Sequence, residues 1–183
     1  CDRSAADRIS ISSGHGPRLS GGDAGAAVRR VPTIRAIKDW TPQVAQHEAQ
    51  IRALQGRKRP INVLSTNSAW LLSSLVLGCN GLLSGSGSVI ADLQARLYRA
   101  VQANDLAEAR RLNDRIYPMA RVFYADPFVD MHNRMKEALV LLGKLPRAVV
   151  RPPLVKISGA EILRIRDALV EAGHPVVRIE VES

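Results

Sequence analysis

Lys38 closes a short β-rich run, Val31-Pro32-Thr33-Ile34-Arg35-Ala36-Ile37-Lys38-Asp39, and so sets a primary amine where a strand gives way to a loop. An amine in that place can condense with a carbonyl compound to give an imine. It must attack as the free base, a form that partial desolvation at a strand end favours. The competing use of a strand-end lysine is to run its methylene stem over apolar surface and release the ammonium to water. The elements that hold Lys38 decide between the two.

Those elements follow a regular order. After a first strand at about 33–38 comes a helix begun at Pro42, with Val44, His47, Ile51 and Leu54 on one side, and then a basic turn, Arg57-Lys58-Arg59-Pro60. A second strand, Ile61-Asn62-Val63-Leu64-Ser65-Thr66, leads to a stretch from Ser68 to Leu77 that is apolar nearly all round. That pattern predicts a buried helix capped by Gly78. A third strand, Gly81-Leu82-Leu83-Ser84, passes through the loop Gly85-Ser86-Gly87-Ser88 into a helix carrying Ile90, Leu93, Leu97 and Val101. Strand, helix, strand, helix is the rhythm of an α/β protein with parallel strands. In a βα barrel, Lys38, Ser65-Thr66 and Leu83-Ser84 come to the end of the strands where chemistry collects.

Beyond Asn104-Asp105 the strand pattern stops. One amphipathic stripe runs through Leu106, Ala109, Leu112, Ile116, Met119 and Phe123, with Pro118 marking a kink or break. A second runs through Phe128, Met131, Met135, Leu139 and Leu142, the methionines serving as core or subunit contacts. Ser158-Gly159-Ala160-Glu161 is a capping box that opens a last helix with Ile162, Ile165 and Leu169, ending at Gly173. The organisation expected is a leader at 1–30, barrel units at 31–103 and a helical region at 104–183. Residues 1–30 are rich in Ser, Gly, Ala and Arg, with no periodicity, and are expected to be disordered or displaced. An out-of-frame translation joined near residue 25 would account for them. A complete eight-stranded barrel takes about 250 residues, so a chain of 183 residues with three βα units is read as a fragment, in keeping with its start at Cys1.

Composition narrows the function classes. A hydrophobic fraction of 46% supports a sizeable core. The formal charge of +9 invites a nucleic-acid reading, but Arg96, Arg99, Arg110, Arg111, Arg115, Arg164 and Arg166 are spread along helices beside Asp92, Glu108, Asp114, Glu161 and Asp167. With 4% aromatic residues, none interleaved with basic ones on a strand, no base-stacking platform forms, so no nucleic-acid partner is expected. Cys1 and Cys79 offer neither metal spacing nor a disulfide framework, which suits a reducing compartment and makes the cytoplasm the expected location. No apolar run reaches the roughly 20 residues of a membrane span, and the N-terminus lacks a signal core. His15, His47, His132 and His174 show no ligand spacing, and Asp130, His132 and Asn133 read as a polar helix face, so no metal is implied. Gly85-Ser86-Gly87 could turn N–H groups to an anion, yet the third position of a dinucleotide fingerprint is Ile90, so the segment is a tight loop and no cofactor is expected. The serines at 84–88 lack the setting of a nucleophile elbow.

Residues 31 to about 173 resemble the C-terminal half of the dihydrodipicolinate synthase and N-acetylneuraminate lyase family, the pyruvate-type class I aldolases. Three stretches carry the likeness. Val31 to Asp39 is similar to the family's sixth strand, which ends in Ile-Lys-Asp/Glu. Leu77-Gly78-Cys79-Asn80-Gly81-Leu82-Leu83-Ser84-Gly85-Ser86-Gly87-Ser88-Val89 is similar to the eighth strand and its small-residue loop. Asp105 to Arg115, Pro118, Phe123, Lys136-Glu137-Ala138-Leu139, Leu142-Gly143 and Val150-Arg151-Pro152-Pro153-Leu154 follow its C-terminal helices. The departures are local. Trp40-Thr41-Pro42 replaces the Gly-Asp that often follows the lysine, and Asp126-Pro127-Phe128-Val129-Asp130-Met131 replaces Asn-Pro-x-Pro-x-Lys. The tyrosine-bearing Tyr-Asn-x-Pro and the Gly-Thr-Thr/Ser-Gly-Glu loop find no match in residues 1–30.

The resemblance implies a partial TIM (β/α)8 barrel holding the last three βα units, followed by a helical region. It also implies Lys38 as the Schiff-base residue, acting on pyruvate or a related 2-oxo acid and an aldehyde. The backbone at Leu83 would flank the bound oxo acid and Thr66 would lie near the cavity wall, and the complete protein would be a homo-oligomer. Two rivals stand beside this reading. A truncated, inactive family member would leave the first strand with an unpaired edge, while a helical self-association module would use residues 104–183 alone.

Overall fold

The computed structural model describes residues 8–12 and 21–177. Contacts divide the chain into two compact units, Cys1–Ser84 and Gly85–Ser183.

In the first unit the parallel sheet is built in chain order from β1 (Arg8–Ser12), β2 (Ala36–Trp40), β3 (Asn62–Ser65) and β4 (Gly81–Leu82). Between them run α1 (Gly21–Arg30), α2 (Val44–Gln55) and α3 (Leu71–Val76), the last preceded by a 3₁₀ turn at Ser68–Trp70. Sequential parallel pairing with intervening helices is the pattern of consecutive units of a (β/α)8 barrel. The register aligns Lys38 with Ser10 on one side and with Leu64 on the other, and Leu64 in turn with Gly81. Gly81 lies close under Leu64, whose side chain would stand 3.3 Å from an added Cβ. The turn out of α3 depends on Gly78, whose φ of +99° suits glycine.

Three expectations need correcting in this unit. The leader is not without regular structure, since Arg8–Ser12 is a strand and Gly21–Arg30 a helix. The Ile9-Ser10-Ile11 alternation was there to be seen, and it is the pairing with β2 that makes a strand of it. Residues 1–7 and 13–20 lie outside the described residues. The strand of Lys38 starts at Ala36, not near 33, because Pro32 and Thr33 form a turn, and Lys38 does not close it, since pairing continues to Trp40. It has no open edge, for β1 and β3 pair with it on both sides. In α2, His47, Gln50, Ile51 and Leu54 are buried, whereas Val44 at the first turn is 44% exposed.

The second unit is helical, comprising α4 (Gly87–Gln102), α5 (Leu106–Phe123), α6 (Met131–Leu141) and α7 (Gly159–Glu171). Helix α4 packs on α5 and α6, and α7 on α5 and α6. The Ile90, Leu93 and Leu97 face of α4 is buried, and the helix packs on α5 and α6 within this unit. Helix α5 continues through Pro118, where a kink or break was expected. Its buried stripe of Ala109, Leu112, Ile116, Met119 and Phe123 is held on both sides of the proline. In α6 the inward positions are Met131, Met135, Ala138 and Leu141, while Phe128 is 43% exposed and contacts Tyr124.

The capping box at α7 is half used as expected. Ser158 accepts a hydrogen bond from the Glu161 N–H at 3.2 Å, but the Glu161 carboxylate turns to Arg134. The Arg134 side chain is fully buried, donates through Nε to Glu161 and through Nη1 to the carbonyls of Ala125 and Phe123, and so joins α6, α7 and the end of α5. Removing one partner leaves the other charge buried and uncompensated. Arg134→Ala is expected to lower the stability of the helical unit by about 3–5 kcal/mol, read from the urea midpoint of helical circular dichroism. Ser158→Ala should cost about 1 kcal/mol. In the first unit, burial pushes the Cys79 thiol up to about 11. Its thiolate fraction at pH 8 is then on the order of one in a thousand. Peptide mapping after iodoacetamide should find Cys79 unmodified in the native chain and alkylated in urea.

Candidate active site

A β-strand sends successive side chains to opposite faces of its sheet. In β2, Ile37 and Asp39 are each 1% exposed, and Asp39 bonds to His47 of α2, which identifies their face as the one covered by helices. In β3 the same face carries Val63 and Ser65, with Ser65 Oγ donating to Ser74 Oγ of α3 at 2.8 Å. The opposite face of β2 holds Ala36, Lys38 and Trp40, all partly exposed. That is the face a barrel turns inward.

Of the three residues singled out from sequence, Lys38 lies at the middle of β2 on this second face, while Thr66 and Leu83 directly follow the last residues of β3 and β4. The register sets Asp39 level with Ser65 and Ser65 level with Leu82. Lys38 stands one residue before that level, and Thr66 and Leu83 one residue beyond it. Two main-chain bonds hold them there, from the Thr66 N–H to the Asp39 carbonyl at 3.1 Å and from the Leu83 N–H to the Ser65 carbonyl at 2.8 Å. Lys38 is half-buried, and its amine makes no ion pair or hydrogen bond among the described residues. Thr66 is 1% exposed, while Leu83 is half-buried. Ser84, next along, hydrogen-bonds Ser68. Asn80 extends the β3–β4 ladder, its N–H donating to the Val63 carbonyl and its side-chain oxygen accepting from the Val63 N–H.

The amine thus stands on a rigid strand, on the face away from the helices, with its neighbouring carboxylate on the other side of the sheet. Such an arrangement suits an amine that meets a carbonyl carbon, because no ion pair among the described residues competes for it. Sequence reading missed the polar group behind it. Asp39, Thr41, His47 and Gln50 form a buried hydrogen-bonded cluster. His47 was placed on the apolar side of its helix, correctly, but without a partner. The signal was Asp39 itself, since strand alternation sends it to the helix face, where a carboxylate must find donors.

The Gly85-Ser86-Gly87 loop belongs to the helical unit. Ser86 Oγ accepts from Gln94 at 2.8 Å, and the Ser86 N–H reaches the Tyr124 hydroxyl at 3.3 Å. No group of three His, Cys, Asp or Glu side chains among the described residues is placed to hold a metal ion. No helix among them is long and apolar enough to cross a membrane.

Known proteins share this sequence pattern and this fold. Residues 24–172 match the profile of the Dihydrodipicolinate synthetase family. The 4-hydroxy-tetrahydrodipicolinate synthase of Brucella suis biovar 1 is 31% identical over 149 residues, covering 81% of this chain and 48% of that protein. The same-named enzyme of Erythrobacter litoralis is 32% identical over 143 residues, covering 76% and 46%. A solved structure of a monomeric dihydrodipicolinate synthase variant superposes with a TM-score of 0.84 at 20% identity, over 92% of this chain and 55% of that one. The structure of YagE from Escherichia coli K12 in complex with pyruvate gives a TM-score of 0.81 at 24% identity, over 91% and 56%. These likenesses make the fold a partial TIM barrel of the dihydrodipicolinate synthase kind. The chain spans about half the length of the curated relatives it matches. The match over most of its own residues makes it a member of the dihydrodipicolinate synthetase family.

Proposed function

We propose that this chain carries the Schiff-base half of a carbon–carbon lyase or synthase that acts on pyruvate or a related 2-oxo acid and an aldehyde. The observation that supports it best is the stance of Lys38, half-buried at the middle of a strand paired on both sides, with no ion-pair partner among the described residues. In the proposed reaction the free Nζ attacks C2 of the 2-oxo acid, and loss of water gives an imine. Removal of a proton from C3 gives the enamine, whose C3 forms a bond to the aldehyde carbon. Hydrolysis of the resulting imine then frees the amine, and the reverse sequence cleaves the same bond. Pyruvate bound to the YagE structure supports the choice of 2-oxo acid.

Thr66 and the backbone at Leu83 are proposed to line the 2-oxo acid, because each stands two residues past the level of Lys38, just beyond the neighbouring strands. Small-molecule substrates, a cytoplasmic setting and a homo-oligomer belong to the same reading. Two cysteines without a framework support the setting. Exposed Tyr117, Val129 and Val170 supply surface for self-association.

Incubation with pyruvate and borohydride, followed by peptide mapping, tests the reading. One reduced pyruvate adduct is expected on Lys38, with none on Lys58, Lys136, Lys144 or Lys156. Lys38→Ala and Lys38→Arg should abolish it. A folded, self-associating chain that forms no adduct would contradict the reading and favour the helical association module.

A further inference from the structure

The imine reaction at Lys38 makes no direct use of the polar cluster on the other face of its strand, and that cluster is costly to bury. Asp39 and His47 are each 1% exposed, and Thr41 and Gln50 each 5%. Asp39 Oδ1 accepts from the Thr41 N–H at 2.8 Å and from the Thr41 hydroxyl at 2.5 Å. Asp39 Oδ2 pairs with His47 Nδ1 at 2.7 Å. A carboxylate only accepts, so the proton of this pair lies on Nδ1. Gln50 Nε2 donates to Thr41 Oγ1 at 2.8 Å, which closes the cluster between β2, the following loop and two turns of α2. His47 Nε2 and Gln50 Oε1 have no partner among the described residues.

An apolar residue at position 39 would seat the strand on α2 without desolvating a charge. It would fix depth but not rotation, because hydrophobic contact has no direction. Three directional bonds to one carboxylate in a low-dielectric interior do fix rotation about the strand axis. Rotation is what matters to Lys38, since adjacent strand residues project in opposite directions and turn together. The main chain of the same residue also accepts the Thr66 N–H at 3.1 Å. One anchored residue therefore sets the bearing of the amine and the height of the wall beside it.

We propose that Asp39, with His47 and Thr41, is a positioning residue for Lys38, holding the amine on the line of attack toward the 2-oxo acid. The proposal rests on Lys38 being the imine-forming lysine. The test measures the rate of adduct formation at Lys38 against pyruvate concentration in the full chain. Rates are expressed per folded molecule from urea unfolding curves. His47→Leu removes the donor to Oδ2, and Thr41→Val, of the same shape, removes one donor to Oδ1. Each should lower the maximal rate by roughly tenfold to a hundredfold, as misplacement of a reacting group does. Half-saturating pyruvate should stay within about twofold of wild type. His47→Asn, whose amide nitrogen can take the place of Nδ1, should restore most of the rate. Wild-type rates per folded molecule in His47→Leu and Thr41→Val, with only the unfolding midpoint lowered, would overturn the positioning role and leave Lys38 as the reactive lysine. Absence of adduct in the wild-type chain would overturn both readings.

Discussion

Alternation along a single strand governs this molecule. Between Lys38 and Asp39 the chain advances by one residue, and the side chains pass from the open face of the sheet to the face under α2. Had the two charges fallen on one face, they would have paired with each other and the amine would have been spent. Separated by the sheet, the carboxylate meets His47 and Thr41, and the amine meets no ion-pair partner among the described residues. The parallel ladder then sets Thr66 and Leu83 just past the last residues of the neighbouring strands. The geometry of the candidate site thus follows from register and alternation, with few side-chain contacts required.

Much of this was legible in the sequence because it is local. The β-rich run into Lys38, the glycine stop at 78, the Ser158 cap and the stripe of α5 each announce themselves within one or two turns or one strand. What failed to show depends on residues distant in the chain. Arg8–Ser12 becomes a strand through pairing with residues 36–40, and its five residues carry too short a pattern to stand out amid glycine and serine. The packing of α4 on α5 and α6 depends on helices that follow it in the chain, which the strand and helix rhythm does not report. His47 looked like one more member of an apolar stripe, because helical periodicity reports burial and says nothing of which polar atom waits on the facing strand.

The helical unit uses the same device for a different end. Arg134 is as buried as any leucine in the chain, and its fork ties the end of α5 to the start of α7 through two carbonyls and Glu161. Buried ionic groups seldom add net stability over an apolar replacement, yet they are intolerant of losing one partner. In both units a directional polar contact inside an apolar setting specifies how neighbouring elements are turned, while the surrounding Ile, Leu and Met side chains supply the bulk of the burial.

The most direct test of the account is a crystal structure of the chain grown with pyruvate. Continuous electron density is expected from Lys38 Nζ to C2 of the oxo acid, with Asp39 still bonded to His47 on the opposite face of the strand. Lys38 turned into bulk solvent beside an unmodified ligand, or Lys38 and Asp39 on one face of β2, would contradict it.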